Sequence, residues 1–267
     1  MPALKIVSWN INSVRLRAPN VGAFIAQENP DIVCLQETKC RDGEFPVRAF
    51  EDAGLPHLAL NGQGGGHHGV AIASRLPIES VSAPDLCREG HARVVAARID
   101  GLEVHNIYLP AGGDEPDPET NDKFAHKLDF LARLGPAYAK LDKRPRVLVG
   151  DLNVAPHEND VWSHKQLLKI VSHTPVETEA LETARQQAGF SDLARDSVPH
   201  GQKLYTWWSY RAKDWAASNR GRRLDHIWTN AAARAGTDAS SFRIHLRWRG
   251  GWKPSDHAPI SAVIGAP

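Results

Sequence analysis

Cysteine and methionine are scarce in this 267-residue sequence, which contains three Cys and one Met. The cysteines, Cys34, Cys40 and Cys87, are odd in number and show no C-x-x-C spacing. This pattern argues against both a disulfide framework and a zinc site. It is typical of a protein that works in a reducing cytosol.

Long apolar runs are absent as well. No stretch of about eighteen consecutive apolar residues occurs, so we expect no transmembrane helix and no membrane partner. Residues 1–5 lead directly into an alternating run and lack the charged-then-apolar pattern of a signal peptide. We therefore expect a cytoplasmic protein that is not exported.

Several glycine-based motifs are also missing. The sequence contains no G-x-x-x-x-G-K-[ST], no G-x-G-x-x-G that opens a helix and no G-x-S-x-G. Their absence disfavours nucleotide-driven, dinucleotide-dependent and serine-hydrolase chemistry.

The net charge of +1 conceals a local excess of positive charge. Residues 201–257 hold eleven Lys and Arg against four Asp, and six of the eight Trp. Basic residues interleaved with aromatics suit a surface that follows a phosphate backbone and touches bases or sugars. The alternative is a solvated basic face beside core tryptophans, which composition alone favours slightly.

Short strand patterns alternate with helical patterns along the chain. We predict one domain over residues 1–267, an α/β (α+β) fold in which mixed sheets pack together with helices outside. Residues 111–120 and 213–222 are predicted surface loops. The predicted strands are 4–10, 31–36, 69–74, 94–99, 104–109, 147–151, 224–229, 242–248 and 258–264, and the predicted helices are 19–28, 121–141 and 178–188.

Four polar clusters lie at the ends of apolar runs, and a fifth leads into the apolar strand at the C-terminus. A rigid fold can present a metal site and a general base to one pocket by placing carboxylate, amide and imidazole groups at its strand ends. The clusters lie at residues 8–12, 35–39, 150–153, 223–226 and 255–260.

Asp151 and Asn153 follow a buried strand, and alternation puts them on one face. The carboxylate could deprotonate water while the amide holds that water or a phosphate oxygen. The structural alternative is an Asx turn that ends the strand.

Glu37 also follows a core strand, and its carboxylate would suit Mg²⁺, with Asn10 and Asn12 completing the shell. A surface ion pair with Lys39 is the simpler interpretation. Taken singly, each of these residues is better explained as structural.

His257 becomes an effective acid, base or phosphate ligand when a carboxylate fixes its tautomer. Asp225 could orient it, which would leave Asp256 to face a metal. A cap formed by Ser255 and Asp256 is the structural alternative. His67 and the neighbouring His68 lie in a Gly-rich turn and are interpreted as loop residues, not ligands.

Together these motifs make the chain similar to bacterial exonuclease III and the related apurinic/apyrimidinic (AP) endonucleases, within the endonuclease/exonuclease/phosphatase superfamily. Each motif is weak alone, but their order along nearly the whole chain is specific. The matching segments are residues 8–15 (SWNINSVR), 35–39 (LQETK), 108–110 (YLP), 150–156 (GDLNVAP), 219–225 (NRGRRLD) and 255–260 (SDHAPI).

The resemblance implies a four-layered sandwich of two packed mixed β-sheets flanked by helices. It implies a Mg²⁺-dependent nuclease, with Mn²⁺ as a second suitable ion, that acts as a monomer on double-stranded DNA with abasic sites or 3′ ends. The implied activities are AP endonuclease, 3′→5′ exonuclease and 3′-phosphatase/phosphodiesterase. The implied catalytic residues are Tyr108, Asp151, Asn153, Asp225 and His257. The implied metal site comprises Asn10, Glu37, Asp151, Asn153, Asp256 and His257, and the implied DNA contacts are Asn12, Arg15, Trp207, Trp208, Arg220 and Arg222. Trp207 and Trp208 match the segment that forms the wall of the pocket for a flipped-out abasic sugar. Arg223 is expected to flank the DNA channel as well, with a structural pairing to an acid as the alternative.

Four positions depart from the family pattern. Asn12 replaces an Asp of mammalian-type members, Ser13 stands where Gly is usual, Ala111 replaces an Asn or Gln, and Arg222 replaces a pocket-lining Trp of some members. The balance between the three activities stays open. Two other functions also stay open: a phosphodiesterase of the superfamily acting on lipid or inositol phosphates, and a catalytically inactive DNA-binding protein.

Overall fold

A computed structural model describes residues 3–265, which form two six-stranded sheets and a two-stranded ribbon. The strands are β1 (Leu4–Asn10), β2 (Ile32–Gln36), β3 (His57–Asn61), β4 (Val70–Ser74), β5 (Glu79–Ser80), β6 (Val94–Ile99), β7 (Leu102–Tyr108), β8 (Arg146–Asp151), β9 (Phe190–Asp192), β10 (Trp207–Trp208), β11 (Gly221–Arg222), β12 (Asp225–Asn230), β13 (Arg243–Ile244) and β14 (Ile260–Ile264). The helices are α1 (Val14–Glu28), α2 (Val47–Asp52), α3 (Asp122–Ala139), α4 (His164–Leu167), α5 (Pro175–Gln187), α6 (Leu193–Ser197), α7 (Trp215–Ser218) and α8 (Ala231–Arg234), with 3₁₀ turns at Asp42–Glu44, Glu158–Asp160, Ala239–Ser241 and Leu246–Arg249.

Both sheets are mixed and share one plan. The first has the order β13-β14-β1-β2-β4-β3 and the second the order β5-β6-β7-β8-β12-β9. A parallel pair lies at the centre of each, β1 with β2 and β7 with β8, and antiparallel strands flank it.

The two sheets pack face to face, and their inner faces share one apolar core. Helices α3 and α5 cover the outer face of the second sheet, and α1 and α2 cover that of the first. The predicted four-layered sandwich is therefore confirmed. None of the helices within residues 3–265 has the length and apolar character needed to span a membrane. The single-domain assignment stays a prediction.

Two helix boundaries differ from prediction for identifiable reasons. Helix α5 starts three residues before the predicted Thr178, because Thr174 and Glu177 form a capping box around Pro175 at the first helical position. Helix α1 starts at Val14 and tolerates Pro19 inside it. Asn121 caps α3 as predicted, accepting a hydrogen bond from the amide of Lys123 at 3.1 Å.

The predicted strand 242–248 is mostly wrong. Only Arg243 and Ile244 pair with β14, and a 3₁₀ turn follows. Proline has no N–H for the ladder, and Pro259 precedes β14. Its carbonyl still accepts from the amide of His245 at 2.9 Å, and the pairing ends there.

Other parts of the prediction missed or misassigned short elements. The half-buried edge strand β3 and the three-residue strand β9 were not predicted. The predicted loop 213–222 contains α7, capped by Asp214, and strand β11. The predicted loop 111–120 contains no helix or strand.

Candidate active site

The carboxyl ends of four strands and the start of a fifth meet at one edge of the sandwich. In the second sheet, Tyr108 at the end of β7 pairs with Asp151 at the end of β8, and Asp151 pairs with Asp225 at the start of β12. In the first sheet, Asn10 ends β1, and Glu37 directly follows the neighbouring strand β2. Strand register therefore brings these polar groups to one place.

Asn10 joins the carboxylates of the two sheets. Its Nδ2 donates to Glu37 Oε1 and to Asp151 Oδ2, each at 2.9 Å. The Tyr108 hydroxyl donates to Glu37 Oε1 at 2.9 Å, and Lys39 Nζ lies 2.9 Å from Glu37 Oε2. The ion pair of the simpler interpretation is present, and Glu37 belongs to the polar cluster at the same time.

The predicted contact between Asp225 and His257 is also present. His257 Nδ1 lies 2.8 Å from Asp225 Oδ2, and His257 Nε2 lies 3.7 Å from Asp151 Oδ2. All three side chains are buried. Asp225 thus fixes the ring so that Nε2 faces Asp151.

The buried charges shift each other's ionisation. Burial opposes the charged imidazolium, but the carboxylates of Asp225 and Asp151 raise the pKa of His257 to about 10. Burial raises the pKa of Asp151 to about 7; the Asp225 charge adds to this, while His257 and the Asn10 hydrogen bond act against it. Burial, together with the charges of Glu37 and Asp151, raises the pKa of Tyr108, so its hydroxyl stays a donor near neutral pH.

Asn153 lies in a tight turn after β8. Its backbone amide donates to Asp151 Oδ1 at 2.9 Å, and its Nδ2 donates to the Leu109 carbonyl at 2.9 Å. The Asx turn is therefore present, and both Asp151 and Asn153 still line the cleft. Structural and functional interpretations are compatible here.

Left-handed backbone conformations concentrate at this edge. Non-glycine residues with positive φ include Asn12 (48°), Ser13 (86°), Glu37 (51°), Lys39 (53°) and Asn153 (51°). Such conformations cost free energy and persist where the surrounding structure holds them, often at functional sites. The positive φ at Ser13 gives a physical reason why glycine suits that position.

The donor set fits a hard divalent cation. Glu37 and Asp151 offer carboxylate oxygens, and Asp151, Asp225 and His257 place one potential ligand atom each within 4.8 Å of one another. Within residues 3–265, Asp225 Oδ1 is buried without a hydrogen-bond partner. Anionic oxygens are the ligands that Mg²⁺ takes in proteins. Asn10 Oδ1 accepts a hydrogen bond from the backbone amide of Asn12 at 3.1 Å. This bond orients the Asn10 side chain so that its Nδ2 faces the carboxylates of Glu37 and Asp151.

Asp256 lies on the other side of His257 and is tied to the ribbon β10–β11. Trp207 Nε1 donates to Asp256 Oδ2 at 2.9 Å, and Asn12 Nδ2 donates to Asp256 Oδ1 at 3.2 Å. These hydrogen bonds and His257 lower the pKa of Asp256 despite its burial. Asp256 is therefore an anion at neutral pH.

A cleft of about 720 Å³ opens above these groups. Trp207 and Trp208 both line it, as predicted for the pocket wall. Arg222 lies 5.3 Å from the Trp207 ring centroid and donates to the Val171 carbonyl at 3.1 Å. Exposed Arg220 lies 4.7 Å from the ring of Trp162. The cleft floor is anionic, and its wall is aromatic and cationic.

The tryptophans of the basic aromatic stretch do not share one environment. Trp228 is buried in the core and Trp248 packs on Trp9 and Phe24, as the solvated-face interpretation requires. Trp207 and Trp208 instead face the cleft. Neither interpretation holds for the whole stretch.

Two arginines that were predicted to contact DNA do not line the cleft. Arg223, expected beside a DNA channel, has no exposed surface and forms ion pairs with Asp160 (2.9 Å) and Asp192 (2.8 Å), so that expectation was wrong. Arg15 is exposed and lies 3.7 Å from Glu44. It is not among the residues that line the cleft.

Sequence reasoning missed Trp162 and Lys127. Trp162 lines the cleft beneath Arg220, and no motif marks it. Lys127 is fully buried and donates to the Asn153 carbonyl at 2.8 Å, while it forms an ion pair with Glu177. A signal existed for Lys127, because it interrupts the apolar face of α3 between Phe124 and Leu131.

Comparison with known proteins gives one consistent family. The profile of the Endonuclease/Exonuclease/phosphatase family matches residues 7–257. Exodeoxyribonuclease III of Haemophilus influenzae is 31% identical over 273 residues, which cover 97% of this chain and 99% of that protein.

Solved structures of related enzymes have the same fold as this chain. An AP endonuclease from Archaeoglobus fulgidus superposes with a TM-score of 0.89 at 32% identity, covering 98% of this chain and 99% of that one. The 3′ phosphatase NExo from Neisseria, bound to a product DNA hairpin, superposes with a TM-score of 0.88 at 31% identity, covering 97% of this chain and 98% of that one.

Proposed function

The chain belongs to the endonuclease/exonuclease/phosphatase family and is a hydrolytic nuclease of the DNA-repair type, and from this premise we propose that it cleaves the phosphodiester 5′ of abasic sites and removes 3′ nucleotides or 3′ blocking groups. Its substrate is double-stranded DNA. The observation that carries the proposal is the position of Asp151, between the Glu37–Asn10 pair and the Asp225–His257 pair.

Asp151 is the proposed general base. A base works best when its pKa is near the working pH, and burial raises that of Asp151 to about 7. It would accept the proton of the attacking water, and Asn153 would hold that water or a phosphate oxygen. His257, kept cationic by Asp225, would donate from Nε2 to a non-bridging oxygen of the phosphate. The protonated Tyr108 hydroxyl would assist the departing 3′ oxygen.

We propose Mg²⁺ as the resident ion, with Mn²⁺ as a substitute. Glu37 would be its main ligand, and Asn10, Asp151, Asn153, Asp256 and His257 would form or support its surroundings. When bound, such an ion stabilises the negative charge that develops on the phosphate and the leaving oxygen. Asn10 and Tyr108 position the Glu37 carboxylate by donating to its Oε1.

The cleft wall supports selection of damaged DNA. A base-free sugar leaves the helical stack at little cost and could enter a small aromatic pocket, while an intact base would clash with it. Trp207 and Trp208 would form this wall. Arg220, Arg222, Asn12 and Arg15 would contact the phosphate backbone, and such contacts carry little sequence information. A monomer in the cytoplasm remains our expectation, to be tested by light scattering and cell fractionation.

Cleavage of one duplex tests the proposal. A DNA duplex with a single abasic-site analogue is incubated with Mg²⁺ and then with EDTA, using the wild type, Asp151→Asn and the exposed control Asp52→Asn. We expect Mg²⁺-dependent incision by the wild type and the control. Loss of the base should slow Asp151→Asn by at least ~10²-fold while DNA binding survives. Wild-type turnover by Asp151→Asn would show that Asp151 is not the general base. Incision in the presence of EDTA would show that the reaction does not need a metal ion.

A further inference from the structure

A second cluster of metal-ligating side chains lies between the β5–β6 connection and helix α3. Cys87, His91 and His126 each place one ligand atom within 4.8 Å of the others. Cys87 and His126 are mostly buried, and His91 is half-buried. None of the three takes part in the chemistry proposed above.

We propose that Cys87, His91 and His126 form a binding site for one Zn²⁺ ion. Thiolate and imidazole are the ligands that select Zn²⁺, whereas Mg²⁺ takes oxygen ligands. Three protein ligands leave a fourth tetrahedral position for water, as in open zinc sites. The site is thus distinct in chemistry from the carboxylate site at the strand ends.

The geometry of Cys87 and His126 supports this assignment. Cys87 Sγ lies 3.3 Å from His126 Nε2. In a tetrahedral site with Zn–S of about 2.3 Å and Zn–N of about 2.0–2.1 Å, the sulfur and nitrogen ligands lie roughly 3.5 Å apart. Only a small shift of these two side chains would admit the ion.

Glu89 provides the supporting carboxylate. Its Oε2 lies 3.2 Å from His126 Nδ1, on the side of the ring opposite the sulfur. A ligating histidine commonly donates its other ring N–H to a carboxylate, which fixes the tautomer that presents the free nitrogen to the metal. The same oxygen lies 3.2 Å from His91 Nδ1.

Local backbone structure brings the ligands together. The amide of Gly90 donates to the Cys87 carbonyl at 3.0 Å, and Gly90 has a φ of 66°. This turn folds His91 back beside Cys87. The ion would therefore fasten an irregular connection to helix α3, which carries His126. The spacing of the cysteines argued against a zinc site, but C-x-x-C spacing is a signal for paired cysteines, whereas this set combines one cysteine with two histidines.

The charges allow the ion to bind. Zinc binds histidine in its neutral form, and the Glu89 carboxylate beside His126 Nδ1 favours a ring proton there, which leaves Nε2 free for the ion. The Cys87 thiol gives its proton to solvent as the sulfur–zinc bond forms. The thiolate and Glu89 then balance the two charges of the ion, and Arg93, which lines the same cavity as His91 and His126, opposes it.

The site borders the candidate active site. His91, His126 and Glu89 line a cavity of about 560 Å³ that Glu37 and Tyr108 also line. A ligand at the fourth position of the zinc would enter this shared cavity.

Cobalt substitution tests the proposal. The full-length protein, reduced and saturated with Mg²⁺, is titrated with Co²⁺, and sulfur-to-cobalt charge-transfer absorption is recorded. We expect one equivalent of Co²⁺ to produce the band and Zn²⁺ to displace it. The band reports a sulfur ligand, which the Glu37–Asp151 site does not have, so it is independent of nuclease activity.

Two variants and a matched control complete the test. Cys87→Ser should abolish the band, and His126→Gln should weaken Zn²⁺ binding by 10-fold or more, measured by equilibrium dialysis. Cys40→Ser alters another buried cysteine and should keep both the charge-transfer band and the affinity for Zn²⁺. Absence of the band in the wild type, or its persistence in folded Cys87→Ser, would overturn the proposal.

Discussion

Replacement of Arg223 by methionine should destabilise the protein without changing how it binds DNA. Arg223 has no exposed surface. Its Nη2 lies 2.9 Å from Asp160 Oδ2 and its Nη1 lies 2.8 Å from Asp192 Oδ2. Methionine keeps much of the side-chain length and removes the charge. Asp160 would retain its ion pair with Arg195, and Asp192 would lose its partner.

The magnitude follows from the burial of this network. Removal of one partner of a buried ion pair costs about 3–5 kcal/mol, because the remaining charge is left without compensation. That is a large part of a total stability of about 5–15 kcal/mol. For a chain of this size we expect Tm to fall by roughly 6–20 °C.

The pH dependence of stability adds a second expectation. Despite burial, Arg223 and Arg195 lower the pKa of Asp160. A carboxyl with a depressed pKa contributes stability that is fully present above its unfolded value of about 3.9 and is lost as the pH falls through the lower folded value. In Arg223→Met this contribution shrinks, so its stability curve should flatten below about pH 4 compared with the wild type.

Urea unfolding measures the loss of stability, and a salt titration of DNA binding measures the contribution of each arginine to phosphate contacts. Arg220→Met is the matched control, because Arg220 is exposed over Trp162. We expect Arg223→Met to lower the urea midpoint and keep the salt slope of binding. Arg220→Met should keep the midpoint and lower the slope by roughly one. If Arg223→Met left the urea midpoint unchanged and reduced the salt slope of binding, Arg223 would be accessible and in contact with DNA.

Three further predictions concern the site. Glu37→Ala should raise the Mg²⁺ concentration for half-maximal activity by at least ~10-fold, since the ion loses its main anionic ligand; an unmoved value in a Mg²⁺ titration would leave Glu37 as the ion-pair partner of Lys39 only. Trp207→Ala should reduce the preference for abasic over intact duplex in competition binding and leave the salt slope unchanged, because its ring lines the cleft. Ser13→Gly should stabilise the protein by about 1 kcal/mol in urea unfolding, because a side chain at a φ of 86° is strained; no gain would mean that Ser13 makes compensating contacts.

The sequence predicted the strand ends well because their physics is local. Apolar runs that Glu37 or Asp151 follows, or that Asp225 precedes, identify the strand and its polar end together. Ordered motifs then place these residues at one edge. The start of α5 was placed three residues late, although the sequence carries a local signal for it in the capping-box spacing of Thr174 and Glu177.

What the sequence did not reveal depends on tertiary packing. Counting charges cannot separate Arg220, exposed above a tryptophan, from Arg223, buried between two aspartates. Both lie in the same basic stretch. The same limit applies to Cys87 and His126, which are 39 residues apart in sequence and meet only when the β5–β6 connection packs on α3.

The position of β14 inside the first sheet, next to β1, has a consequence for synthesis of the protein in cells. This strand lies between β13 and β1, so strands from the two ends of the described chain are neighbours in one sheet. Ser255 Oγ donates to the Asn10 carbonyl at 2.6 Å, and Trp9 Nε1 donates to the His257 carbonyl at 3.1 Å.

A nascent chain that has reached only residue 240 therefore has an unpaired edge on β1 and lacks His257. Such a chain already contains Glu37, Asp151 and part of the basic stretch, yet it cannot complete the site. Pairings between residues this distant in sequence form late. Cleavage activity should consequently appear only after the ribosome has added β14, and β1 needs protection from aggregation until then.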